Sequence, residues 1–204
     1  MTVTISRLYN NYGDARRAVR DLEAAGVKHS DISVIASNAE DWYKDGKDTY
    51  PDRDLDGKDD RAEAAGSGAG LGAAAGGAVG ALTGLGLMAI PGVGPIVAAG
   101  WLASTLAGAA AGAATGGVIG ALSQAGVSDE EAHVYAEGLR RGGAVVSARV
   151  ADHDAVRLKG VMDRSSVRAP ERAAVYRKSG WTRFDPASKP YTADQVRKER
   201  SMYL

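Results

Sequence analysis

The chain has 204 residues, with 25 basic and 25 acidic side chains, 27 glycines and no cysteine. The missing cysteine excludes a disulfide framework, a thiolate metal site and a cysteine nucleophile, and the zero formal charge argues against nucleic-acid binding driven by net charge. The length accommodates one or two modest domains. Charge is unevenly spread, because Ala64 to Ser128 carries none whereas residues 166–204 hold nine basic and four acidic side chains.

The first residues read as cytoplasmic, since Met1 to Arg7 lacks the basic region, apolar stretch and small-residue cleavage site of a secretory leader. Val3 and Ile5 alternate with Thr2, Thr4 and Ser6, which is the period of a strand. Ala15, Ala18, Val19, Leu22 and Ala25 then recur at helical spacing up to Gly26, a residue suited to the left-handed position after a helix. Asp31 to Ala36 completes a β-α-β unit.

The segment 37–63 is an acidic loop. Within it, Asp52, Asp54, Asp56, Gly57, Lys58 and Glu63 have the spacing of a calcium-binding loop, with Asp52, Asp54, Asp56, the Lys58 carbonyl and Glu63 as oxygen donors to a possible Ca²⁺. Against that reading, Gly46 and Pro51 disfavour an entering helix and Asp59 stands where an apolar residue would pin the loop. A solvated charge run is the plain alternative.

Residues 64–127 contain two rows of small residues at four-residue spacing: Gly68, Gly72, Gly76, Gly80 and Gly84, then Gly100, Ser104, Gly108, Gly112, Gly116 and Gly120. On a helix such a row forms a groove along which another backbone approaches closely. With Pro91-Gly92-Val93-Gly94-Pro95 between them, the rows predict an antiparallel helical hairpin with arms over 64–90 and 95–123, each about 40 Å long. Ala and Gly contribute little insertion energy and the flanks are acidic. The lack of charge, the length and the small-residue rows nevertheless lead to the expectation that the hairpins self-associate in or at the cytoplasmic membrane, the alternative being hairpins buried against other copies in a soluble homo-oligomer or filament.

Ser128-Asp129-Glu130-Glu131 has capping-box spacing and starts a helix running to about Arg141, where Gly142-Gly143 stops it. Ala144 to Val150 reads as a third strand, and Val156, Leu158, Val161 and Met162 as one face of a following helix. The expected fold is a small α+β sandwich of ferredoxin-like character, made of 1–36 and 128–165 and split by the hairpin. The basic tail 166–204 is expected to anchor through Trp181 and Phe184 and to end in a short helix capped by Thr192. His29, His133 and His153 are scattered and no nucleophile or phosphate-loop motif is present, so no enzyme is expected.

Ala89-Ile90-Pro91-Gly92-Val93-Gly94-Pro95 between Gly/Ala segments, followed by Gly126-Val127-Ser128-Asp129-Glu130-Glu131-Ala132 and by Tyr135 to Gly143, resembles the bacterial general stress proteins of the YflT-like, 17M-like type. The resemblance covers 1–36 and about 64–150. It implies a stress-induced, non-enzymatic protein with an α/β domain split by a glycine-rich hairpin, and it carries no catalytic residues. Its partner is expected to be a second copy of itself.

Overall fold

A computed structural model describes residues 1–44, 47–48, 86–103, 105–106 and 117–203. In chain order its elements are β1 (Thr2–Tyr9), α1 (Tyr12–Ala24), β2 (Ile32–Ser37), a two-residue pair β3 (Tyr43–Lys44) and β4 (Lys47–Asp48), β5 (Gly86–Ile90), β6 (Gly94–Ala99), α2 (Gly117–Gln124), α3 (Asp129–Arg140), β7 (Ala144–Ala151), α4 (Ala155–Asp163), α5 (Ala169–Lys178) and α6 (Ala193–Ser201). The protein is thus of mixed α/β class, with one five-stranded antiparallel sheet in the order β1-β7-β2-β6-β5.

Local signals place most of these elements. Asn11 caps α1 by accepting from the Asp14 N–H, and Gly26 takes a φ of +94° just past its end. Ser128 caps α3 by accepting from the Glu131 N–H, and Gly142 at φ +94° follows it. The tail helix α6 starts on a full capping box between Thr192 and Gln195.

Strand β7 lies between β1 and β2 and is antiparallel to both, so β1 and β2 run in one direction and α1 crosses over between them. Successive side chains of a strand point to opposite faces, and here both faces are apolar. Ala144, Val146, Ala148 and Val150 pack with Ile5, Tyr9, Val34, α1 and α4. On the other face, Val145 joins Leu8, Ile35, Ile96 and Ala98 beneath α2, α3 and α5. The helices therefore cover both faces of the sheet.

The central part of the uncharged segment also departs from the expected helical hairpin. Residues 86–90 and 94–99 are strands β5 and β6, paired from Gly86↔Ala98 to Ile90↔Gly94, and β6 continues the sheet from β2. Pro91 and Gly92, with Gly92 at φ +75° and Val93 N–H bonded to the Ile90 carbonyl, close the hairpin in the pattern of a type II turn. Gly100, assigned from its spacing to the second glycine row, sits at φ +79° in a turn against the Ile32 carbonyl. No right-handed helix passes through such a residue. Helix resumes at 101–103 and 105–106 and again in α2, where a Cβ on Gly120 would meet nothing within 4 Å.

Several large apolar side chains of the described part of this segment enter the domain core. Ile96, Leu102 and Leu122 are each 0% exposed and Leu106 is 1% exposed, and each full burial is worth roughly 1.5–3 kcal/mol. Ile96→Ala is accordingly expected to cost about 2–5 kcal/mol in lipid-free buffer, measured by urea unfolding. A hairpin residue outside the domain would leave the midpoint unmoved.

Candidate functional site: the seam beneath the basic tail

The tail sits where glycines leave room for it. A Cβ on Gly92 would lie 2.7 Å from Pro186 Cα and 2.8 Å from the Asp185 carbonyl, and one on Gly94 would lie 2.8 Å from Pro190 Cβ. Gly142 makes the corresponding space for Val196 of α6, which is 1% exposed. The Pro-Gly turn and the Gly-Gly helix stop are thus seats for the tail. Phe184 is buried and Trp181 packs edge-on against Tyr176, with ring centroids 5.7 Å apart, so both aromatics anchor the tail on its own domain.

Charges are buried along this seam. Glu137, 1% exposed on α3, accepts from Arg140 (Nε to Oε2 2.8 Å, Nη2 to Oε1 2.5 Å) and from Arg141 (Nε to Oε1 2.5 Å). Arg141 continues to Glu199 of α6 (Nη1 to Oε1 2.7 Å) and lies over the Tyr176 ring. Burial alone would favour losing its proton, but the hydrogen bonds to Glu199 and Glu137 outweigh it and raise the pKa, so the guanidinium stays charged. Tyr203 donates to Glu199, and burial pushes its hydroxyl up to about 12. Arg200 donates to Glu40, which joins α6 to the loop after β2.

A buried pair is weak evidence for net stability, yet removing one partner leaves the other charge uncompensated. Glu137→Gln, which strips the shared carboxylate from Arg140 and Arg141, is expected to cost about 3–5 kcal/mol by calorimetry and to release the tail to limited proteolysis. An unchanged melting temperature would show that the seam holds nothing in place.

His133 lies one helical turn before Glu137, and it is 9% exposed. Its Nε2 accepts from Arg183 Nε at 2.7 Å, which requires the neutral ring with its proton on Nδ1. Burial first, and the Arg183 charge second, lower its pKa below the usual value, with Asp129 opposing. The unfolded chain therefore binds more protons in the window from the depressed folded pKa up to about 6.5. The stability contributed by neutral His133 is complete above that window and is lost as pH falls through it. The melting temperature is expected to drop between pH 7.5 and 5, and His133→Gln to flatten that part of the profile. Parallel profiles for the two proteins would contradict the assignment.

Of the residues singled out from sequence, Asp52, Asp54, Asp56, Lys58 and Glu63, together with Gly68, Gly72, Gly76, Gly80, Gly84, Ser104, Gly108, Gly112 and Gly116, lie outside the described residues. Among the described residues there is no group of three or more metal-ligating side chains, and no helix is long and apolar enough to cross a membrane. His29 and His153 stay with local carboxylates, Glu23 at 2.7 Å and Asp154 at 3.9 Å. The sequence reading missed the seam itself. Glu137 with Arg140 and Arg141 at helical spacing was a visible signal, but the partner Glu199 is 58 residues further on.

No protein-family model matches the chain, and neither curated proteins nor solved structures give a significant match.

Proposed function

We propose that this is a non-enzymatic structural protein that self-associates through its glycine rows, in the general stress-response role that the resemblance to the stress proteins implies. The observation carrying the reading is the division of the uncharged segment. Most of its bulky side chains between 90 and 122, among them Ile90, Val93, Ile96, Leu102, Leu106 and Leu122, are taken up by the domain core. Outside the described residues, 64–85 retains only Leu71, Val79, Leu82 and Leu85 as large apolar side chains, and 107–116 retains none.

Stretches of Ala and Gly gain little from lipid but permit close backbone approach, so this composition favours packing against another copy over insertion in a bilayer. The sheet supplies a firm base for such contacts, since β5 is its edge strand and Leu87 there is 58% exposed. The ferredoxin-like relation also fits the β7-split crossover of β1, α1 and β2. Calcium binding by the acidic loop is a separate proposal resting on the Asp52 to Glu63 spacing alone.

Sedimentation velocity of the full chain and of the double variant Gly76→Leu, Gly112→Leu tests the reading. The wild type is expected to sediment as an oligomer and the variant as a monomer with an unchanged melting temperature. Identical distributions for the two would overturn it, and flotation of the wild type with liposomes in high salt would replace it with the membrane alternative.

A further inference from the structure

Strand β5 forms one edge of the sheet, and among the described residues its outer side meets no other strand. Which of its backbone groups face outward follows from its neighbour β6. The Pro95 carbonyl accepts from the Asn38 N–H at 2.8 Å, so Pro95, and with it the alternate residues Val97 and Ala99, turn their backbone polar groups toward β2. Gly94, Ile96 and Ala98 consequently bond to Ile90, Met88 and Gly86. That leaves the N–H and C=O of Leu87 and Ala89 pointing outward, and among the described residues no backbone group pairs with them.

Sheet edges are ordinarily blunted by charge, proline or a bulge. Gly86 to Ile90 holds no charged residue and no proline, and its register against β6 is unbroken. The opposite edge is protected: Arg7 places a charge on β1, and the Val167 N–H occupies the Leu8 carbonyl. On β5, Leu87 and Ala89 share a face and both are exposed.

We propose that β5 pairs with β5 of a second copy, antiparallel about a twofold axis at Met88, so that the two sheets become one. In that register Leu87 stands opposite Ala89 of the other copy, and the outward groups of these two residues are the ones that a hydrogen-bonded antiparallel pair exchanges. Every outward group of both edges is then satisfied, and the large side chain of each copy lies against the small one of the other. No like charges meet, because Ala64 to Ser128 carries none. A second copy is the occupant this edge fits, since a twofold contact requires a surface complementary to itself. So short a seam is too small to hold a dimer alone, and the proposal therefore rests on the self-association reading: the glycine rows hold the copies together and β5 fixes their arrangement.

Because the chain has no cysteine, Met88→Cys and Leu87→Cys each introduce a single thiol into the full-length protein. In a glutathione redox buffer Met88→Cys is expected to give a disulfide-linked dimer, since Met88 faces its own copy across a non-hydrogen-bonded pair with Cα atoms about 4.5 Å apart. Leu87 is the more exposed of the two, yet Leu87→Cys is expected to cross-link about tenfold less, its thiols lying two residues out of register. Ala89→Pro removes an outward N–H and no bond to β6, and is expected to weaken association about tenfold by sedimentation velocity. Equal cross-linking of the two thiol variants, or more from Leu87→Cys, in a protein that sediments as an oligomer would overturn β5 pairing and leave the self-association reading standing. A monomeric wild type would overturn both. The thiol pair decides the matter even if Ala89→Pro fails to fold.

Discussion

The five-stranded sheet has apolar side chains on both faces, and that requirement shapes the rest of the molecule. Ala144, Val146, Ala148 and Val150 of β7 need one helical layer, and Leu8, Ile35, Val145, Ile96 and Ala98 from four strands need another. The layer over the first face is α1 with α4, both adjacent in sequence to the strands they cover. The layer over the second face is assembled from distant stretches: α2 from the uncharged segment, α3 after it, and α5 from the tail. Residues 86–99 and α2 of the uncharged segment, and the tail, are consequently parts of the fold.

Burial of charge follows from that assembly. Covering the second face with the tail brings Arg141 and Glu137 out of water, and the tail supplies Glu199 to match them. The same docking brings Arg183 onto His133. Tail docking is thereby tied to proton concentration through His133, whereas the apolar contacts of Phe184, Tyr176 and Val196 do not respond to it.

Much of the scaffold could be read from sequence because its boundaries carry local chemistry. Asn11 and Gly26 bracket α1, Ser128 and Gly142 bracket α3, and Thr192 with Gln195 opens α6. The hairpin β5-β6 was misread because small residues at four-residue spacing fit a helical row, while the same residues serve as turn positions. Gly100 belongs to the numerical row but adopts a positive φ. Ile90, Val93, Ile96 and Val97 around Pro91-Gly92 and Gly94-Pro95 also fit a hairpin, and the β-branched content was the better guide. Helix α5 was overlooked although Pro170 in its first turn, Arg177 and Lys178 in its last and Gly180 beyond are helix signals. The seam was not legible, because its pairs join residues that only the tertiary fold brings together.

The central claim is that the bulky half of the uncharged segment belongs to a folded sheet in water. Hydrogen exchange of the full chain, followed by mass spectrometry with and without liposomes, tests it most directly. The account predicts that amides of residues 87–99 paired in β5-β6 and β6-β2 are protected without lipid, those of β6 to a degree comparable with β7. Fast exchange across 86–99 in buffer, with protection appearing only when liposomes are added, would contradict it.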